Sequence, residues 1–124
     1  MIKNLFIVGL GGGIGSIIRY AASLLINSKL FPYATLAVNI TGSFIIGLVF
    51  ALTIKEAGFS NNWKLFLATG ICGGFTTFSA FSLENMGLLQ NGRIGMAGTY
   101  ILLSVILGIL ATFLGYWLII KLTT

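Results

Sequence analysis

The chain has 124 residues, of which 57% are hydrophobic and only 7% charged, with a mean hydropathy of +1.06. A soluble domain carries roughly 25% charged residues, so this composition excludes a water-covered surface and indicates an integral membrane protein of one domain. Seven bases against two acids give a net charge of +5, but the bases are scattered singly; no phosphate-binding stripe forms, which excludes a nucleic-acid partner.

A helix needs about 20 mostly apolar residues to cross a bilayer. Four stretches qualify, at about 5–26, 33–54, 63–89 and 96–120. The N-terminal run superficially resembles a signal peptide, but its glycine density and Arg19 favour a first membrane helix. Pro32 suits the start of the second helix, where its missing N–H costs little. No segment shows the two-residue alternation of a barrel strand. The predicted fold is an all-α bundle of four membrane helices, with short loops and antiparallel neighbours. Lys3, Lys55, Lys64 and Lys121 fall on the side of the termini; Lys29 and Arg93 fall on the other, with Arg19 near it. This bias is weak, and it is compatible with one orientation or with both.

In the first helix, Gly9 stacks with Gly13 and Gly11 with Gly15, spacing that lets helices approach closely. A dinucleotide fingerprint fails on spacing and context. Arg19 has two readings: it snorkels to the interface, or it gives an anion entrance a positive potential or pairs with an acid. In the second helix Thr35, Asn39 and Gly42 share a face, and Ser43 pairs with Gly47. Asn39 either glues helices together or offers its amide N–H to an anion.

The third helix contains "GICGGFTTFSAF", residues 70–81. The Gly73-Gly74 pair weakens a helix and the β-branched Thr76 and Thr77 help it little, so a break is predicted near the middle of the span. Broken backbone is tolerated at membrane depth only inside protein or facing a water-filled cavity. Freed carbonyls there bind cations, and freed N–H groups bind anions. Phe78 and Phe81 share a face beyond the break, continued by Ser82 and Asn85. They are lipid-facing or core residues, or they turn their positive ring edges toward a small anion. The single Cys72 forms no intrachain disulfide and reads as small, soft packing. In the fourth helix Tyr100, Ser104, Gly108 and Thr112 recur every four residues. That stripe is a packing seam with back-bonded hydroxyls or the wall of a narrow polar pathway.

Three segments, "GGGIGSIIRY", "TLAVNITGSFIIG" and "GICGGFTTFSAF", resemble in order the signatures of the Fluc (CrcB) fluoride channels. Length and four-span layout agree, and the resemblance covers the whole chain. It implies an antiparallel homodimer in the cell (inner) membrane, with two fluoride pores and a structural sodium ion at the centre. Asn39, Phe78 and Phe81 match the family's pore asparagine and phenylalanines. Gly73 and Thr76 match the positions whose backbone carbonyls hold sodium, two from each subunit. Arg19 matches the family's first-helix arginine, at the vestibule. Thr77, Ser79, Ser82, Tyr100, Ser104 and Thr112 are looser pathway candidates, and Gly108 stands where some relatives carry a hydroxyl.

A narrow fluoride path needs successive donors and polarised edges to replace hydration, each weak enough to release the ion. With no ATP-binding motif, movement is expected to be passive. The competing transport reading is a small multidrug-resistance-like, proton-coupled cation exporter. That class needs an intramembrane carboxylate, and Glu84 is the one candidate. A purely structural subunit would give no flux. An enzyme is excluded: the chain has no histidine, and Glu56 and Glu84 are too few and too far apart for an acid–base pair.

Overall fold

The computed structural model describes residues 1–56 and 58–122. They form α1 (Ile2–Leu25), α2 (Tyr33–Lys55), a composite third span (Asn61–Gln90) and α6 (Ile94–Leu122). All four spans are long and apolar enough to cross a membrane, and no strand occurs among the described residues. The third span is itself made of α3 (Asn61–Lys64), a π-wound stretch (Leu65–Cys72), α4 (Gly73–Phe75) and α5 (Phe78–Gln90).

The first half of the third span lies on α1, and α2 lies along α6. Both contacts are made backbone to backbone. A Cβ on Gly11 would stand 2.6 Å from the Phe66 carbonyl oxygen, and one on Gly15 would collide with the Ile71 carbonyl. Between α2 and α6, Gly47 faces the Thr112 carbonyl and Gly115 the Phe44 carbonyl in the same way. Lipid tails are as apolar as leucine, so such close van der Waals approach is what holds membrane helices together. The second stacked pair in α1 behaves differently. Gly9 and Gly13 have no atom within 4 Å of an added Cβ, so that face is open.

The break falls later than the glycines suggest. Gly73 is helical, at φ −63° and ψ −37°. The chain becomes extended at Thr76 (φ −84°, ψ 158°) and Thr77 (φ −152°, ψ 123°). β-branched residues are at ease in extended backbone. Gly74, by contrast, is needed for contact: its Cβ would collide with the Gly12 carbonyl. The Thr77 hydroxyl then accepts the Ala80 N–H at 3.1 Å and caps the restarted helix. Beyond the break α5 leaves α1 and packs against α6. The π winding before it had no counterpart in the sequence reading. Such wide turns are uncommon and often adjoin functional sites.

Candidate functional site

The break is fastened from two sides. From α2, Asn39 clasps one residue at both ends: its Oδ1 accepts the Thr77 N–H at 2.8 Å, and its Nδ2 donates to the Thr77 carbonyl at 3.1 Å. From α1, Arg19 Nε donates to the Gly74 carbonyl at 3.1 Å. Arg19 therefore neither reaches an acid nor simply points to the interface. It supplies a donor to a carbonyl near the end of α4.

These bonds decide which backbone groups are left over. A continuous helix would give the Thr77 N–H to the Gly73 carbonyl, but that N–H goes to Asn39. It would give the Ala80 N–H to the Thr76 carbonyl, but that N–H goes to the Thr77 hydroxyl. The carbonyls of Gly73 and Thr76 thus lose their helical donors. The Thr76 hydroxyl turns back to the Cys72 carbonyl at 2.8 Å and is itself occupied.

Beside the break lies an open groove of about 480 Å³ between α2, the third span and α6. It gathers Asn39, Gly73, Thr76, Thr77, Phe78, Phe81 and Ser104 on one surface, together with Ser43 and apolar neighbours. The Phe78 and Phe81 rings are 5.6 Å apart at 38°, and Phe78 is 69% exposed. The Ser104 hydroxyl is buried and has no hydrogen-bond partner within the chain. A buried hydroxyl without a partner is costly, so this one, on a residue that lines the groove, is a donor awaiting an acceptor.

The other sequence candidates lie elsewhere. Thr112 donates to the Ser43 carbonyl at 3.0 Å and shares its hydroxyl with the Gly108 carbonyl at 3.1 Å. It sits in the α2–α6 seam. Ser79 and Ser82 are exposed outside the groove lining. Tyr100 is fully buried, and its ring meets Phe81 edge-on at 4.9 Å and 62°. The hydroxyl stripe of α6 is therefore split: Ser104 is part of the groove lining, Thr112 bonds to α2, and Tyr100 lies in the core.

Tyr100 also belongs to a network that sequence reasoning missed. Its hydroxyl donates to Glu84 Oε1 at 2.8 Å, while the Thr35 hydroxyl donates to Glu84 Oε2 at 2.7 Å. Three helices are latched through one carboxylate. Hydrogen bonds to a charged partner are about twice as strong as neutral ones. No residue spacing relates Thr35, Glu84 and Tyr100, so only the packed bundle brings them together. Among the described residues no group of histidine, cysteine or acidic side chains could hold a metal.

Residues 6–116 match the family model described as "CrcB-like protein, Camphor Resistance (CrcB)". The chain is 51% identical over 116 residues to a fluoride-specific ion channel FluC of Flavobacterium psychrophilum, covering 91% of this chain and 94% of the relative. It is 47% identical over 119 residues to the FluC of Azobacteroides pseudotrichonymphae, covering 94% and 95%. It is 45% identical over 117 residues to a FluC of Thermus thermophilus, covering 92% and 93%. Relatives at this identity over nearly the full length share one helix order, and the three quoted segments fall within the matched range. This multi-pass membrane protein belongs to the Fluc (CrcB) family, a family of ion channels and not of enzymes.

Proposed function

We propose that this chain forms a fluoride-selective, passive channel that exports fluoride across the cell (inner) membrane. The observation that carries the reading is the groove, where two phenylalanine rings, an unpartnered serine hydroxyl and a broken helix meet beside Asn39. Fluoride is small and strongly hydrated. Ser104 offers it a hydroxyl, and the edges of Phe78 and Phe81 offer partial positive charge without a full cation to trap it. Asn39 spends one amide hydrogen on Thr77 and retains a second for the ion. Tyr100 supports the Phe81 ring from behind. With a negative interior, the membrane potential drives the anion outward.

The functional unit in this proposal is an antiparallel homodimer with two pores. The groove exposes polar backbone and side chains at membrane depth in one chain. Hydrocarbon cannot satisfy those groups, so a second copy covering them explains their placement. The weak bias of flanking bases suits insertion both ways. A structural sodium fits the donor set, because the Gly73 and Thr76 carbonyls are among those that lose helical donors at the break. Unwound carbonyls are suitable ligands for that ion, and two subunits would contribute four. When bound, sodium neutralises the converging carbonyl dipoles. Arg19 lies on the α1 side of the same break.

Purified protein in liposomes loaded with fluoride tests this reading. Fluoride efflux should far exceed chloride efflux, without ATP or a proton gradient. Equal chloride efflux would overturn selectivity. Labelling of single cysteines from both faces of the membrane should find each site on both sides, and one-sided labelling would overturn the antiparallel dimer.

A further inference from the structure

A second hollow lies on the outer surface of the bundle, away from the break. It holds about 220 Å³ between α1 and the start of the third span, and is lined by Ile7, Leu10, Asn62, Trp63 and Phe66. Both elements begin on the same side of the membrane, so the hollow lies within their first turns. At 1.5 Å per residue, Ile7 and Leu10 stand roughly 8 and 12 Å along α1 from its start. Trp63 is 57% exposed and meets Phe66 edge-on at 5.8 Å and 81°. Tryptophan at this depth is typical of the boundary between headgroups and chains.

Charge flanks the hollow on the α1 side. Lys3 is exposed, four residues ahead of Ile7 and seven ahead of Leu10, which places it on the same face of α1. Lys64 is also exposed, but it falls on the far face of its helix from Asn62, Trp63 and Phe66. Lys55 and Lys121 end α2 and α6 on this side, where Glu56 is the one acid. A lysine at a helix end keeps its stem on apolar surface and its ammonium among the headgroups.

We propose that the hollow between Ile7, Leu10, Trp63 and Phe66, with Lys3 above it on α1, is a binding site for an anionic phospholipid. One acyl chain lies in the apolar hollow and the headgroup phosphate lies against the Lys3 ammonium. The apolar walls would accept a chain of any lipid. The Lys3 ammonium is what selects an anionic headgroup over a zwitterionic one, by about fivefold at low salt. The proposal is independent of which ion the groove conducts.

The chain has two tryptophans, Trp63 and Trp117, so Trp117→Phe leaves Trp63 as the sole reporter. The variant is reconstituted in vesicles in which chain-brominated phosphatidylglycerol or chain-brominated phosphatidylcholine replaces part of the unbrominated lipid. Phosphatidylglycerol should quench Trp63 at a several-fold lower mole fraction, and bromines near the headgroup end of the chain should quench most. Adding Lys3→Gln, or 1 M salt, should bring the two lipids to the same quenching curve, whereas Lys64→Gln on the far face should leave them apart. Equal quenching in the unaltered background would overturn the site. A preference that survives Lys3→Gln would equally overturn it, because the selectivity would then lie elsewhere.

Discussion

Asn39 holds both polar ends of Thr77, taking its N–H at 2.8 Å and giving to its carbonyl at 3.1 Å. A side-chain amide here does what a neighbouring backbone strand would do. Asn39→Ala removes both bonds and leaves two backbone groups unpaired, at about 1–3 kcal/mol each. Asn39→Asp keeps the acceptor but turns a carboxylate oxygen on the Thr77 carbonyl, so it should lose at least as much as alanine. Thermal unfolding in detergent should rank wild type above both variants. If the alanine variant is as stable as wild type, the clasp contributes nothing to the fold.

The glycines of α1 separate into two classes that sequence spacing alone does not distinguish. Gly15→Ala drives a methyl into the Ile71 carbonyl, which belongs to backbone and cannot swing aside. Overpacking of this kind costs about 1–3 kcal/mol. Gly13→Ala meets nothing within 4 Å inside the chain, and replaces a poor helix former by the best one, for a gain of up to about 1 kcal/mol. Melting of the two variants should therefore move in opposite directions. In the proposed dimer a partner contact at Gly13 would reverse its sign, and dilution would then restore the gain.

Much of this architecture was legible because lipid imposes a simple rule. Twenty apolar residues cross, and polar groups inside them must be paired. That rule locates four spans and flags Asn39, Thr77 and Ser104 as residues to follow. It does not locate the break within "GGFTT", since glycines serve close approach and flexible backbone equally well. The two threonines carry the extended turn, and Gly74 serves the contact with Gly12. Nor does spacing divide the hydroxyls of α6. A four-residue period places Ser104 and Thr112 near one face, but the helix drifts round over two turns. Ser104 ends at the groove and Thr112 at the Ser43 carbonyl. Pairings between distant helices, such as Arg19 with Gly74, exist only once the bundle has packed.

The carboxylate latch gives a prediction about coupling. Tyr100→Phe keeps the buried ring and its contact with Phe81, and leaves Glu84 Oε1 without its donor. The loss should be about 1–3 kcal/mol. Thr35→Val removes the second donor with little change of shape. Because both act on one carboxylate, the double variant should not lose the sum of the two. A double-mutant cycle in denaturant should show a coupling of at least about 0.5 kcal/mol. Strict additivity would mean that the two hydroxyls act separately.

Ser104 separates conduction from stability. Its hydroxyl is buried at the groove with no partner inside the chain. Ser104→Ala therefore removes an unsatisfied polar group, and the melting temperature should stay level or rise. If the hydroxyl donates to passing fluoride, efflux from liposomes should nevertheless fall, by about tenfold for a lost bond worth roughly 1.4 kcal/mol to a charged partner. Thr112→Val provides the contrast. It breaks bonds inside the α2–α6 seam, so stability should fall while the groove keeps its lining. A Ser104→Ala protein that is both stable and fully conductive would remove this hydroxyl from the path and leave the ring edges of Phe78 and Phe81 as the principal contacts.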